Sequence, residues 1–237
     1  MRYFTIAILL ALALSRCSAH TNYEDAFISY EADVKSQALK MYWRDENDQP
    51  FKSIGRLNAW LQLRGEQLQF AMNGGMYNAD HVPVGLFVQA QKTLTPLDTT
   101  TKAGNFYLKP NGVFYTTADG RAVVCKTEAF THSPHIAFAT QSGPMLLVDG
   151  QLHPAFTKGS ANRNIRNGVG MLPNGHVLFA MSKKEISFYD FAEYFRRRGC
   201  RNALYLDGLV SRTYLPEKNW VQTDGDFGVI IGVVEKR

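Results

Sequence analysis

The chain has 237 residues, with 26 Lys and Arg against 21 Asp and Glu, and 45% of its residues are hydrophobic. Enough Leu, Val, Ile and Phe is present to exclude disorder of the whole chain, and the length suits one large domain or two small ones. With 19 Gly, 9 Pro and 3 Cys, collagen-like repeats and disulfide-dense scaffolds are excluded, and a net charge of +5 with little clustering does not indicate nucleic acid. The one basic run, Arg196-Arg197-Arg198, is expected at a helix end, where cations complement the helix dipole.

Residues 1–19 read as a secretory leader. Arg2 supplies the positive start, residues 4–14 form an apolar run too short to span a bilayer, and Cys17-Ser18-Ala19 offers small residues for cleavage before His20. The expected location is periplasmic or secreted. The rival reading acylates Cys17 as in a lipoprotein, but Arg16 stands where a small residue is wanted. No other segment is apolar enough to span a membrane, and no linker or repeat divides residues 20–237.

The next elements follow from periodicity and turn chemistry. Strands are expected at 27–33 and 37–43, then a polar turn at 45–49. Ile54, Leu57, Trp60 and Leu61 recur at helical spacing within 53–64, and Gly65 stops that helix. A strand at 68–72 runs into Asn73-Gly74-Gly75, and another is expected at 85–89. Pro110-Asn111-Gly112 predicts a hairpin pairing 106–108 with 113–116, and Asp119-Gly120 turns the chain into a strand at 122–126. Strands at 136–140 and 145–148 lead to a turn at Asp149-Gly150, and Pro173-Asn174-Gly175 joins 168–172 to 177–181. The best helix spans 187–198, with Ser187 as N-cap, Phe188, Phe191, Ala192 and Phe195 on one face, and Gly199 after it. Strands at 203–206 and 227–234 complete an α+β chain, a single domain with a mostly antiparallel sheet core and a few covering helices.

Cys125 and Cys200 remain after the leader, and a disulfide and two buried thiols are both open readings. His132 and His135 bracket Ser133-Pro134, which breaks a helix, so no metal site is expected. No GxSxG, P-loop or GxGxxG occurs, and no cofactor is indicated. Three segments carry more polarity than their strands require. Gly74 and Gly75 free the backbone after Asn73 for close approach to a ligand. Arg163 and Arg166 stand among Asn162, Asn164 and Asn167, where guanidinium forks suit phosphate oxygens and amides suit sugar hydroxyls. Asp207 ends an apolar strand and precedes Gly208, a costly place for a carboxylate unless it is paired or used. Each segment is also compatible with an ordinary turn or surface loop.

Together the segments resemble the phosphodiester glycosidase family. The resemblance runs in order through Asn73-Gly74-Gly75-Met76-Tyr77, Pro83-Val84-Gly85-Leu86, Gln141-Ser142-Gly143-Pro144-Met145-Leu146, Arg166-Asn167-Gly168-Val169-Gly170, and Leu206-Asp207-Gly208 with Ser211. Leu209-Val210 stand where the family has more glycine. The resemblance implies an exported bacterial hydrolase that cleaves a sugar 1-phosphodiester at the anomeric carbon, releasing free sugar and a phosphomonoester. Glycosidases ordinarily need two carboxyl groups, but phosphate is a weak base that leaves with little help from an acid. On this reading Asp207 is base, nucleophile or oxocarbenium stabiliser. Arg166, supported by Arg163, holds the phosphate, and Asn73 with the Gly74 and Gly75 amides holds the substrate. Ser142, Gly208 and Ser211 supply further contacts, and Asp80 and Asp149 are the other carboxylates considered. The implied partner is a phosphosugar or anionic envelope glycan. A non-catalytic periplasmic binder of such a glycan uses the same loops and is the alternative.

Overall fold

The computed structural model describes residues 23–236, so the expected leader, its cleavage site and Cys17 lie outside the described residues. Three sheets carry the architecture, and every neighbouring pair of strands in them is antiparallel. The first has six strands in the order Phe27–Ala32, Val177–Ser182, Asn167–Met171, Ala203–Asp207, Met145–Val148 and Gln151–Leu152. The second has five: Trp220–Val221, Thr213–Leu215, Glu66–Asn73, Ile230–Lys236 and Ala38–Tyr42. The third runs Lys92–Thr95, Phe87–Gln89, Ile136–Ser142, Gly112–Thr117 and Ala122–Lys126.

One apolar cluster joins all three sheets, with Val169, Phe179 and Leu204 from the first, Met41, Phe70 and Ile231 from the second, and Phe87 and Phe114 from the third. Alternation explains which side chains reach it. Along Val177–Ser182, Val177, Phe179 and Met181 face this centre, whereas Leu178 and Ala180 face outward onto a helix. Because both faces are covered, the strand reads as a continuous apolar run. The covering helix, α2 (Phe188–Arg197), buries Phe188, Phe191 and Phe195 there, and each such ring is worth about 1.5–3 kcal/mol of burial. The second sheet is covered in the same way by α1 (Ile54–Gln62), through Ile54, Leu57 and Leu61. Its strand Glu66–Asn73 breaks alternation at a bulge: Phe70 pairs with Val233 but Leu68 with Val234, which turns Leu68 toward α1 while Phe70 stays in the centre.

Both helices begin as their sequences indicate. Ser53 accepts from Arg56 N, and Ser187 accepts from Asp190 N, donating in turn to the Asp190 carboxylate. Gly65 and Gly199 follow the helices with φ of 70° and 83°. Arg196 and Arg197 lie in the last turn of α2, and both face Glu193, at 2.7 and 3.9 Å. The Asp149-Gly150 turn and the 173–175 hairpin form where expected.

One expectation changes, and one open reading is resolved. Residues 106–108 do not pair with 113–116. Asn105–Tyr107 is a 3-10 turn, held because Asn111 Nδ2 donates to Phe106 O at 3.0 Å, and Gly112–Thr117 pairs instead with Ala122–Lys126 and Ile136–Ser142. Cys125 and Cys200 are both free thiols, pushed by burial up to about 11 and about 12 respectively, so no disulfide joins them. No helix among the described residues is long and apolar enough to cross a membrane.

Candidate active site

The strands Glu66–Asn73, Ala203–Asp207 and Ile136–Ser142 end at one place, and Asn167–Met171 begins there. Buried hydrogen bonds from side chains to backbone fasten the three sheets at this point. Asn167 Nδ2 donates to Asn73 O and Oδ1, both at 2.8 Å, joining the first sheet to the second. Thr140 Oγ1 donates to Gly74 O at 2.9 Å, joining the third to the second. Ser142 Oγ donates to Leu206 O at 2.9 Å, joining the third to the first. Buried polar groups that are fully paired fix one arrangement, because any displacement leaves a desolvated donor or acceptor without a partner.

Asp207 stands at the centre of this junction. Its backbone N–H donates to Asn167 Oδ1 at 2.8 Å, which fixes the residue from below. One carboxylate oxygen accepts from Gly208 N at 2.6 Å and the other from Asn73 Nδ2 at 3.5 Å. Asn73 cannot turn to present its oxygen instead, because that oxygen accepts from Asn167 Nδ2 and from Arg212 N at 2.9 Å. Ser211 closes the loop by donating to Asp207 O and Gly208 O. No cation is bonded to Asp207 among the described residues. Burial pushes its carboxyl up to about 6, and the bonds from Gly208 and Asn73 pull only partly the other way.

The expected roles of the remaining residues divide. Arg166 is fully buried. Its Nε donates to Ile186 O, its Nη2 to Asn162 O and Oδ1, and its Nη1 to the Tyr205 hydroxyl at 3.4 Å, while the guanidinium lies 3.6 Å over the Phe188 ring. Desolvation lowers its pKa from the usual arginine value. The fork expected to hold phosphate is thus bound into the wall, with four of its bonds going to the protein. It still meets the site at one remove, since a Cβ on Gly208 would lie 1.9 Å from the Tyr205 hydroxyl that Arg166 contacts. Arg163 is exposed on a short ribbon, Arg163–Asn164 paired with Ile186–Ser187, and donates to Glu185 O. The Gly74 amide is also taken, donating to Val229 O at 2.9 Å. Glycine is needed there because a Cβ would approach Ile231 Cγ1 to 2.4 Å; at Gly75, with φ of 151°, it would meet Thr140 Oγ1 at 2.6 Å. Asp80 and Asp149 are on loop turns, Asp149 facing Arg201 at 3.8 Å.

Above Asp207 opens a cleft of about 380 Å³. Met76, Ala79, Leu209 and Val210 give it apolar walls, Tyr77 and Asn78 are polar, and Asp207 is the one charged residue in its lining. Leu209 is 89% exposed at its lip. The loop that carries Met76 and Tyr77 is braced by the second motif, since Val84 N donates to Met76 O and Tyr77 bridges to Pro83. Gln141 braces the same region by accepting from Leu86 N and Asp98 N. Asn167, expected among the amides that suit sugar hydroxyls, is instead spent on the junction of the sheets, a role that no local pattern signals. Among the described residues no group of three His, Cys, Asp or Glu side chains is gathered to hold a metal ion.

An α+β fold of antiparallel sheets with a lone, raised carboxylate at their junction defines a class that comparison makes specific. The chain belongs to the phosphodiester glycosidase family, whose model matches residues 66–233. It is 36% identical over 188 residues to YigE of Escherichia coli (strain K12), described as an uncharacterized protein, covering 79% of this chain and 73% of that one. Its fold is similar to that of the zebrafish N-acetylglucosamine-1-phosphodiester alpha-N-acetylglucosaminidase catalytic domain auto-inhibited by its pro-peptide. That match has a TM-score of 0.59 at 12% identity and covers 90% of this chain and 85% of that one. A hypothetical protein from Synechocystis matches with a TM-score of 0.54 at 13% identity, over 88% of this chain and 59% of its own.

Proposed function

We propose that the chain hydrolyses a sugar 1-phosphodiester, adding water at the anomeric carbon and releasing free sugar and a phosphomonoester. The observation that carries this reading is Asp207, a carboxylate held rigidly by Asn73, Asn167 and Gly208, unpaired with any cation, and facing a cleft. With its pKa raised to about 6, the group is mostly ionised at neutral pH yet remains basic enough to accept a proton. Positive charge develops at the anomeric carbon as the bond to phosphate breaks, and a preorganised carboxylate stabilises that state more than the neutral ground state. The same group serves by taking a proton from the attacking water or by attacking the carbon itself. A phosphate leaving group needs no second carboxyl to protonate it, which fits a cleft lined by one.

Asn73 orients the carboxylate and Ser211 and Ser142 hold the strands that carry it, so these act by positioning. Arg166 contributes a buried positive charge behind Tyr205 and Gly208 and keeps the 162–166 segment in place. The family relationship and the likeness to the zebrafish catalytic domain support the reading. The alternative, a non-catalytic binder of anionic glycan, uses the same cleft and differs in the outcome of the activity test, since it binds without turnover. Export through the 1–19 leader belongs to the same proposal, and the mass of the protein recovered outside the cytoplasm tests it: a chain starting near His20 is expected, and a lipid-modified Cys17 overturns it. The activity itself is tested with purified protein on a panel of sugar 1-phosphodiesters. Turnover lost in Asp207→Asn is expected, and a wild-type protein that hydrolyses none of them overturns the proposal.

A further inference from the structure

A second polar group stands in the same cleft, and the mechanism above does not use it. Tyr77 lines the cleft with Asp207, and its position is set by its neighbours. Its ring stacks on that of His81, with centroids 5.4 Å apart and planes inclined by 13°. His81 Nε2 is in turn 2.7 Å from Asp226 Oδ1. Gly228 packs against the other end of the side chain so closely that a Cβ there would lie 2.6 Å from Tyr77 Cβ. The ring is therefore clamped, yet its hydroxyl makes no hydrogen bond to any described residue. A clamped phenol with no protein partner, lining the same cleft as a carboxylate that no cation pairs, is placed for a ligand. Burial first, then the charges of Asp207 and Asp226, pushes this phenol up to about 12, so at neutral pH it donates a hydrogen bond and does not act as a base.

We infer that Tyr77 is a second catalytic group, whose O–H donates to the phosphoryl oxygen of the departing phosphomonoester while Asp207 acts at the anomeric carbon. This rests on the reading of the cleft as a phosphodiester glycosidase site. In the reaction the water oxygen becomes bonded to the anomeric carbon, one water proton passes to Asp207 and on to solvent, the bond from that carbon to the phosphate oxygen breaks, and its electron pair leaves with the phosphate. Tyr77 keeps its own proton throughout and stabilises the growing negative charge through the hydrogen bond. The need for such a donor follows from the lining: neither Lys nor Arg is in it, so no side-chain cation of the cleft meets that charge. His81, held by Asp226, is then a positioning residue that fixes the ring.

Tyr77→Phe tests this, because it keeps the ring and its stacking and removes only the hydroxyl. Wild type, Tyr77→Phe and Asp207→Asn are compared on two phosphodiesters of one sugar, an alkyl ester and a nitrophenyl ester, whose leaving phosphates differ in basicity. The expected result is a kcat lower by about 10- to 1000-fold with KM little changed, the deficit being larger for the alkyl ester. Difluorotyrosine at the same position keeps both ring and donor, and its more acidic phenol is expected to bring a loss of kcat at high pH into the measurable range. Wild-type kcat in Tyr77→Phe while Asp207→Asn is dead overturns the role of Tyr77 and leaves the glycosidase reading standing. So does a change in KM alone, an equal deficit on both esters, or no new loss at high pH with difluorotyrosine. A wild-type protein that cleaves neither ester overturns the reading, and the inference with it.

Discussion

Two carboxylates, Glu193 buried and Asp207 half-buried, separate a region that is only structural from the proposed site. Glu193, on α2, is nearly as buried as the core around it, and it faces Arg196 and Arg197. Asp207, at the junction of the sheets, has hydrogen-bond donors but no cation, and its carboxyl is pushed up to about 6. A protein that needed only to bury an acid at position 207 has a pattern for doing so on its own helix. On the proposed function, the contrast is stability given up at Asp207 for a charge that substrate can use. Arg166 sharpens the point: its guanidinium is fully buried close to Asp207's loop, yet it is satisfied by carbonyls, an amide and a phenol and does not form an ion pair.

The largest expected effect separates the two acids directly. Asp207→Asn lowers kcat by about 1000-fold or more, several kcal/mol of transition-state stabilisation, whereas Glu193→Gln leaves turnover unchanged. Wild-type activity is expected to rise through about pH 6 as Asp207 ionises, and a profile that falls there identifies it as an acid instead. Arg166→Leu comes next. It leaves Ile186 O and Asn162 O buried without their donors, and a loss of about 2–4 kcal/mol in urea unfolding is expected; a loss below about 1 kcal/mol breaks the claim that the guanidinium is built into the wall.

Asp207 also makes a signed prediction for stability. Its folded pKa, about 6, lies above its unfolded value of about 3.8, so the native state binds the extra proton between them. Stability from this group is fully present below pH 3.8 and is lost as pH rises through about 6, by up to about 3 kcal/mol for a shift of this size. The difference in unfolding free energy between wild type and Asp207→Asn should change in that direction over that window, and a difference flat in pH contradicts the raised carboxyl. Leu209→Ser is the smallest. An 89% exposed side chain contributes little to folding, so the variant's unfolding free energy should stay within about 0.5 kcal/mol of wild type while KM for apolar esters rises.

Much of the scaffold was legible because it is written in local chemistry. Ser187 before Phe188, Phe191 and Phe195 specifies α2, and Asp149-Gly150, with φ of 50° and 82°, specifies a tight turn. Asp207 was legible for the opposite reason, as a charge that an apolar strand does not call for. The strands Lys92–Thr95, Thr213–Leu215 and Trp220–Val221 were not, since two to four residues carry too little periodicity. The bonds of Asn167 across the sheets, the close fit of Gly74 against Ile231, and the clamp of His81 and Gly228 on Tyr77 escaped because their partners are remote in sequence. Arg166 shows the limit most plainly. Its residue type suits phosphate, and only packing reveals that carbonyls already occupy its fork.

The fastening of the three sheets at Asp207 bears on how the chain reaches its native state. Its bonds link residues 66, 64 and 94 positions apart, and each closes a long loop. Contacts of such separation are entropically expensive to form early, and chains rich in them fold slowly. Sheets can pair and helices can dock before all three are in place, but Asp207 has its full set of neighbours only when they are. Recovery of activity after dilution from denaturant is therefore expected to lag behind recovery of secondary structure, and catalysis becomes a clock for the last step of folding.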